Sequence, residues 1–210
     1  MFGSFSGAGK VVSIVGAGSP GNMGQIMARR FAEAGAKVVV SGRRTDVLAD
    51  LASSIDGDCV ACDFCDRASI GHMVTEVQKR HGSIDVAINA TGWGLLNGFC
   101  ETSEDELDRM VDLQFKGPFI WLQRLVEVMS VQGQGCIIQI SSATAKIMLD
   151  NHAAYMGTKA GIDHVIRTVA NEFGTKGIRA NTISPGLTDT PMTADALQSP
   201  ALAKAFSQCY

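Results

Sequence analysis

Hydrophobic residues along the chain fall into short runs separated by longer stretches in which apolar and polar positions recur with a helical period. The short runs are rich in Val and Ile and are bounded by Gly, Asp, Asn or Ser. Such runs are typical of strands that are buried on both faces of a parallel sheet. We therefore predict six strands, at residues 10–15, 36–41, 58–62, 84–89, 136–140 and 178–183.

The intervening stretches predict five helices, at residues 24–34, 45–54, 67–81, 103–131 and 153–173. Ser103, with Glu106 three residues later, forms a capping-box pattern at the start of the fourth helix. Gly35 and Gly174 lie where helices commonly end. Alternating strands and helices predict right-handed crossovers and a parallel sheet covered on both faces. We predict a single doubly wound α/β domain of the Rossmann type over residues 1–210, with its binding crevice at the carboxyl ends of the strands.

Composition narrows the class of protein without indicating a function. The 210 residues are 46% hydrophobic and 19% charged, with a net charge of −3, as is typical of a globular chain with a full core. Mild acidity without a basic patch disfavours nucleic-acid binding. No apolar run reaches the roughly 18 residues that a membrane span needs. We expect a cytoplasmic protein that has neither nucleic acid nor membrane as a partner.

Three of the six cysteines, Cys59, Cys62 and Cys65, have a spacing that also occurs in metal and cluster sites. Residues three apart in a strand point to opposite faces, however, and the next cysteine is Cys100. We therefore expect buried, reduced thiols and no metal.

A glycine-rich loop follows the first predicted strand and leads directly into a helix. Glycines here allow a tight turn and a close approach of the backbone, while amides at the helix N-terminus hold a pyrophosphate. The alternative is an ordinary turn between a strand and a helix. We predict a dinucleotide site with contacts from Gly16, Gly18, Ser19, Met23 and Gly24.

The end of the second predicted strand favours NADP(H) over NAD(H). A carboxylate in this region hydrogen-bonds the ribose of NAD, whereas an arginine accommodates the 2′-phosphate of NADP. Gly42 stands where the carboxylate is expected, Ser41 precedes it, and Arg43 and Arg44 follow. The alternative is a pair of solvated arginines at the start of a helix.

Candidate chemistry lies near the start of the fifth predicted helix, at Tyr155 and Lys159. Residues four apart share one face of a helix, and a nearby ammonium favours ionisation of a phenol. Such a tyrosine can exchange protons near neutral pH. Ser142, at the end of the fifth predicted strand, delivers a hydroxyl to the same crevice.

These residues resemble the signature of the short-chain dehydrogenase/reductase family. Tyr155 and Lys159 match its Tyr-x3-Lys pattern, and Ser142 stands thirteen residues before the tyrosine, as the family serine does. Residues 89–92 resemble the family's Asn-Asn-Ala-Gly, and residues 181–190 resemble its Pro-Gly segment at the nicotinamide. The resemblance implies further cofactor contacts from Asp63, Phe64, Asn89, Ala90, Gly92, Tyr155, Lys159, Pro185, Gly186, Thr188 and Thr190.

The resemblance implies hydride transfer between a nicotinamide cofactor and a carbonyl or secondary alcohol. Tyr155 is the implied general acid in reduction and base in oxidation, and Ser142 orients the substrate oxygen. Lys159 holds the nicotinamide ribose and lowers the pKa of Tyr155. Gln114 stands where the family usually has an asparagine that helps to hold a water in a proton relay.

Two alternative functions stay open. Enoyl reduction is the nearer one, although that relative usually places six residues, rather than three, between the tyrosine and the lysine. The other is a dinucleotide-binding sensor or assembly partner of the same fold that has lost its catalysis.

Apolar residues after the fourth, fifth and sixth predicted strands indicate an apolar small-molecule substrate. Trp93, Met148 and Met192 are the candidate pocket residues, and His152 can face the same pocket. Assembly in the resembled family commonly uses the helices predicted here at 103–131 and 153–173. We therefore expect a homo-oligomer, either a dimer or a tetramer.

The chain departs from the family pattern in its glycine loop and at its end. The loop is two residues longer than the usual Thr-Gly-x3-Gly-x-Gly. Residues 193–210 resemble the substrate-covering segment, and the family's last helix and strand do not follow. Two interpretations are open: a fragment of a longer protein, or a short form whose sheet has an uncovered edge, a feature that favours association. We expect a truncated chain.

Overall fold

The fold is built on six parallel strands in the order β3-β2-β1-β4-β5-β6. The computed structural model describes residues 6–194 and residue 198. The strands are β1 (Val11–Val15), β2 (Lys37–Gly42), β3 (Asp58–Ala61), β4 (Val86–Asn89), β5 (Gly135–Ile140) and β6 (Ile178–Ile183). This order reverses between β1 and β4, where a doubly wound sheet opens its ligand crevice. The predicted fold class is confirmed.

In the described part of the chain, six α-helices connect and cover these strands. They are α1 (Met23–Glu33), α2 (Thr45–Ser54), α3 (Arg67–His81), α4 (Glu104–Val111), α5 (Gly117–Gln132) and α6 (Ala153–Phe173). Ser103 and Glu106 form the predicted capping box at the start of α4. The bounds of α2, α3 and α6 are the predicted ones, since strong local periodicity marks them.

The prediction of one continuous helix at 103–131 is wrong, because a π-helical turn over Asp112–Lys116 separates α4 from α5. Pro118 lies in the first turn of α5 and has no N–H to donate to the carbonyl of Gln114. The Gly117 N–H instead reaches back five residues to Asp112 O. The wider turn places Gln114 in the interior, where it is 2% exposed.

Two hydrophobic cores lie on opposite faces of the sheet. On one face, α3, α5 and α6 pack around Trp121, which is fully buried. On the other face, α1 and α2 pack over alternate residues of β1 and β2. Side chains of successive strand residues point to opposite faces, so the continuous apolar runs supply both cores.

Two local expectations need correction. Gly174 directly follows α6, as predicted, but its φ of −58° is right-handed rather than left-handed and a 3-10 turn begins there; the left-handed glycine is Gly177, with φ +76°. Cys59 and Cys62 pack on opposite faces of the sheet, as predicted. Cys65, by contrast, is exposed rather than buried, because it follows the strand. Among residues 6–194 and 198, no three His, Cys, Asp or Glu side chains form a group that could hold a metal.

Candidate active site

The glycine loop after β1 lies directly against the end of β4. Gly16 has φ +96°, and a Cβ at this position would lie 2.5 Å from the carbonyl carbon of Ala90. A Cβ at Gly24 would lie 2.6 Å from Gly16 O. Both distances are too short for any side chain, so these glycines allow the loop and the first turn of α1 to fold tightly at the crevice.

Two polar side chains hold this long loop in shape. Asn22 caps α1 by accepting from Gln25 N (3.0 Å), and its Nδ2 donates to Gly16 O (2.8 Å). Gln25 Nε2 donates to Ala17 O (3.1 Å), and Gln25 Oε1 accepts from Gly21 N (3.3 Å). Neither residue is among the predicted site residues, although an Asn-x-x-Gln pattern at a helix start resembles a capping box.

A first cleft runs between the glycine loop and the ends of β2 and β3, and Asp63 and Phe64 are among its lining residues. Arg44 is committed to the loop, since its guanidinium donates to Gly18 O and to Ser19 Oγ, the latter at 2.9 Å. Arg43 also lines the cleft, is exposed, and makes no hydrogen bond or ion pair with the residues that the structure describes. The two arginines therefore differ in their freedom to bind a ligand.

Two predicted cofactor residues point away from the cleft. The Ser41 side chain is fully buried, and its carbonyl accepts from Gly16 N (2.9 Å) and Ala17 N (3.3 Å). The buried Asn89 side chain donates to Gln139 Oε1 (2.9 Å) and accepts from Thr91 N (2.9 Å). Both residues lie on strands whose alternation turns these side chains inward, so they shape the turns around the cleft.

A second cleft adjoins the first at residues 90–92 and carries the predicted catalytic side chains. Ser142 follows β5, while Tyr155 and Lys159 lie on successive turns at the start of α6. The parallel strands bring these positions together at one edge of the sheet. The cleft is lined in addition by Met23, Ala90, Gly92, Pro185, Gly186, Thr188, Thr190 and Met192, all predicted site residues.

The Ser142 hydroxyl is oriented by Thr144. Ser142 Oγ accepts from Thr144 N (3.2 Å) and from Thr144 Oγ1 (2.9 Å). Because a serine oxygen has two lone pairs and one proton, both acceptor positions are used and the O–H is left to donate. Ser142 is thus a preset donor toward an oxygen in the cleft.

Burial raises the pKa of Tyr155 above its ordinary value, and a hydrogen bond from Ser142 partly opposes this rise. The expectation that Lys159 lowers this pKa is not met in the structure. Lys159 Nζ lies 5.7 Å from the centre of the Tyr155 ring and donates to Ile140 O (3.0 Å). With the ammonium directed at this carbonyl, desolvation of the phenol has the larger effect.

Gln114 lies behind the second cleft. Its Nε2 donates to Thr158 Oγ1 (3.2 Å), and its Oε1 is buried without a hydrogen-bond partner among the described residues. A Cβ at Gly92 would lie 3.5 Å from Gln114 Oε1 and 4.0 Å from Lys159 Nζ. An unpaired acceptor and a buried ammonium therefore flank the same small space.

Only some of the predicted substrate residues line the second cleft. Met192 and His152 line the second cleft, and His152 Nδ1 donates to Asp150 O (2.7 Å). Trp93 is half-buried with the Arg109 guanidinium 4.3 Å from its ring centre. Met148 is 77% exposed and does not line the cleft, because the segment after β5 turns it outward. Of the predicted covering segment, residues 193–210, only residues 193, 194 and 198 are among the described residues.

Comparison with known proteins identifies the family. A family model described as enoyl-(acyl carrier protein) reductase matches residues 16–210. An uncharacterized oxidoreductase of Staphylococcus aureus strain MW2 is 29% identical over 188 residues, which are 88% of this chain and 80% of the relative. The corresponding oxidoreductase of strain USA300 is 30% identical over the same shares.

Solved structures agree with this result. A gluconate 5-dehydrogenase from Burkholderia cenocepacia J2315, in complex with NADP and tartrate, is 25% identical with a TM-score of 0.90, covering 96% of this chain and 80% of that one. A short-chain type dehydrogenase/reductase from Mycobacterium ulcerans is 25% identical with a TM-score of 0.92, covering 98% and 77%. The chain belongs to the short-chain dehydrogenase/reductase family and is an oxidoreductase of that type. In the part of the chain that the structure describes, no helix is both long and apolar enough to cross a bilayer.

Proposed function

We propose that the protein transfers a hydride between NADP(H) and a carbonyl or secondary alcohol, with Tyr155 as general acid in reduction and base in oxidation. The observation that carries the proposal is the second cleft, which brings Ser142, Tyr155 and Lys159 together beside the end of the glycine loop. The residues that line this cleft do not include a comparable set for nucleophilic catalysis or for metal binding. The proposal is supported by membership of an oxidoreductase family.

The first cleft fits a dinucleotide. Gly16 and Gly24 leave no room for side chains beneath the loop, and Gly18 and Ser19 line the cleft at its edge. The amides at the start of α1 would hold the pyrophosphate there, with Asp63 and Phe64 at the far end and residues 185–190 near the second cleft. When bound, the nicotinamide supplies or accepts the hydride.

The protein's own residues manage the proton. Ser142 donates a hydrogen bond to the substrate oxygen, because Thr144 already occupies both of its acceptor positions. Tyr155 is protonated at neutral pH, since burial raises its pKa, and can therefore give its proton to a carbonyl that is being reduced. Lys159 holds the ribose and places a positive charge near the phenol. Gln114 Oε1, unpaired beside Gly92, is the acceptor that would hold a relay water.

We expect NADPH to bind more tightly than NADH, with Arg43 responsible for most of the difference. Arg44 is engaged with Gly18 and Ser19, whereas Arg43 is free to make charge-assisted bonds to a 2′-phosphate. Titration of both cofactors by nicotinamide fluorescence measures the preference in wild-type protein and in Arg43→Ala.

A matched control is Arg67→Ala, which removes one positive charge at the start of α3 from a residue that does not line the first cleft. This variant should keep the wild-type preference. Equal affinities for the two cofactors in wild-type protein, or a preference that survives Arg43→Ala, would contradict the assignment.

The reaction is tested by following nicotinamide absorbance with ketones and secondary alcohols, using each cofactor. Enoyl reduction is a second candidate, because the matching family model carries that description, so the panel includes an α,β-unsaturated thioester. The apolar part of the second cleft, with Leu96, Leu187 and Met192, favours apolar carbonyl substrates. Turnover of the thioester alone would assign enoyl reduction, and no turnover with any class would favour a binding role.

We also propose that the protein forms a homo-oligomer through α4 and α6. An apolar groove between these helices is lined by Leu107, Val111 and Phe115 on one side and by Gly157 and Gly161 on the other. Phe99, at one end of the groove, is 82% exposed, and nothing lies within 4 Å of a Cβ at Gly157. Small residues on an open helix face permit the close approach of a second helix.

Light scattering should show a dimer or tetramer for wild-type protein and a smaller species for Leu107→Glu, which places a charge in the groove. The matched control is Val131→Glu on α5, because Val131 is 88% exposed and lies outside the groove. This control should assemble like wild type. A wild-type monomer at micromolar concentration would refute the proposal.

A further inference from the structure

A carboxylate lies one helical turn behind the buried lysine of the second cleft. Lys159 and Asp163 are four residues apart on α6 and are 3% and 9% exposed. Residues at this spacing share a helix face. Charged side chains are rarely buried to this degree without a partner. Because solvent hardly reaches these two groups, other protein groups have to stabilise their charges.

The surroundings of this pair contain unused polar atoms. Asp163 Oδ1 and Ser141 Oγ are both buried and have no hydrogen-bond partner among the residues that the structure describes. Ser141 directly follows Ile140, whose carbonyl accepts the only hydrogen bond found for Lys159 Nζ in the described chain. The end of β5 and one face of α6 therefore enclose a polar space next to the lysine.

We propose that Asp163 is a positioning residue for the reaction, which keeps the Lys159 side chain charged at the end of β5 by lying behind it beside the Ser141 hydroxyl. This inference rests on the proposed function, in which the Lys159 ammonium holds the ribose and faces the phenol. Asp163 does not line the second cleft, so it acts only through Lys159.

Electrostatics agree with this geometry. Burial lowers the pKa of Lys159 to about 8, and Asp163 opposes that change. Burial raises the pKa of Asp163, while Ser141, Lys159, Lys146 and Arg167 each lower it. Ser141 has this influence although its Oγ does not reach hydrogen-bond geometry with the carboxylate.

The sign of the effect follows from these groups. At pH 7 a lysine with a pKa near 8 is mostly charged, and it loses its charge as the pH rises through that value. Without the carboxylate, no anion of the described residues 6–194 and 198 opposes the effect of burial, because the remaining titratable group found near Lys159 is the neutral Tyr155 phenol. The lysine should then lose its charge at a lower pH.

The direct test is an NMR titration of the full chain labelled with 13C at the lysine ε-carbons. Of the eight lysine signals, that of Lys159 is identified by its loss in Lys159→Arg. In Asp163→Asn, which keeps the shape of the side chain, the titration midpoint of Lys159 should fall by at least about one pH unit, a tenfold change in proton affinity. The matched control is Glu172→Gln, an exposed carboxylate near the end of the same helix, and it should leave the midpoint unchanged.

A second variant keeps the test usable if Asp163→Asn does not fold. Ser141→Ala removes a hydroxyl that lowers the pKa of Asp163, so the carboxylate is charged less of the time and the midpoint of Lys159 should move down by a smaller amount. The inference is overturned if Lys159 titrates at the same pH in wild type and in either folded variant.

NADPH binding measured against pH separates this inference from the proposed function. In Asp163→Asn the affinity should begin to fall at a lower pH than in wild type, as the lysine loses its charge. If the titration midpoint of Lys159 shifts in Asp163→Asn but the pH dependence of NADPH affinity does not shift with it, the role of Asp163 is supported and the role given to Lys159 is refuted. Affinity that depends on Lys159, together with an unshifted midpoint, would refute the role of Asp163 alone.

Discussion

Replacement of Tyr155 by Phe is expected to lower turnover by about 10²–10⁴-fold, the usual contribution of general acid–base catalysis, with almost no change in NADPH affinity. The substitution deletes one hydroxyl and keeps the ring, which packs beside the His152 ring with centres 6.5 Å apart. The fold and the cofactor cleft should therefore be preserved. Steady-state rates and a fluorescence titration of the cofactor measure the two effects.

Lys159→Ala provides the contrast, because it should weaken NADPH binding as well as turnover. The ammonium is fully buried and is held by Ile140 O, so its removal affects both the ribose site and the charge near the phenol. Tyr155→Phe protein that turns over a good substrate at a near-normal rate would refute the mechanism, whatever the cofactor affinity.

The pH dependence of the same reaction has a defined direction. Burial raises the pKa of Tyr155, so the phenol stays in its acid form across the neutral range. Below about pH 7, where Lys159 is still mostly charged, reduction, which needs the acid, should vary little, whereas oxidation, which needs the base, should accelerate toward alkaline pH. Tyr155→Phe should abolish that acceleration.

Gly16→Ala is expected to destabilise the protein by about 2–5 kcal/mol in the free energy of unfolding. A side chain at positive φ costs about 1–2 kcal/mol, and overpacking typically adds about 1–3 kcal/mol. Here φ is +96° and the new Cβ would lie 2.5 Å from backbone atoms of Ala90, so a strand end has to move. NADPH affinity should also fall by at least about tenfold, because the loop is displaced from the crevice.

Gly21→Ala separates the two contributions. Gly21 lies in the same loop with φ +74°, but nothing lies within 4 Å of its Cβ position. Gly21→Ala should therefore lower the free energy of unfolding only by the cost of a side chain at positive φ, about 1–2 kcal/mol. Urea denaturation of both variants measures the difference. Equal losses for Gly16→Ala and Gly21→Ala would show that the contact with Ala90 does not constrain the loop.

Elements with a strong local pattern were predicted closely. The capping box at Ser103 and Glu106 and the bounds of α2, α3 and α6 follow from residues near one another in the chain. That the candidate catalytic residues lie in one cleft was also predictable, since Ser142 follows a strand and Tyr155 and Lys159 share one helix face. Parallel strands bring such positions to one edge whatever the details of packing.

Side-chain direction was harder to predict than position. Ser41 and Asn89 are at the expected strand ends, but their side chains face the interior, while Met148 faces solvent. A one-residue difference in a strand reverses the direction of a side chain. Motif matching locates such residues along the chain without specifying this direction.

By itself, the sequence determined the doubly wound sheet, the glycine loop and the order of the candidate catalytic residues, because all three depend on short-range periodicity and spacing. Only the tertiary structure decided that Arg44 is engaged with the loop while Arg43 makes no hydrogen bond or ion pair with the described residues, and that a π-helical turn buries Gln114. It also decided that Asp163 Oδ1 and Ser141 Oγ have no hydrogen-bond partner in the described part of the chain and that the pKa of Tyr155 is raised. These features depend on contacts and desolvation between segments far apart in the chain, which no local pattern of residues encodes.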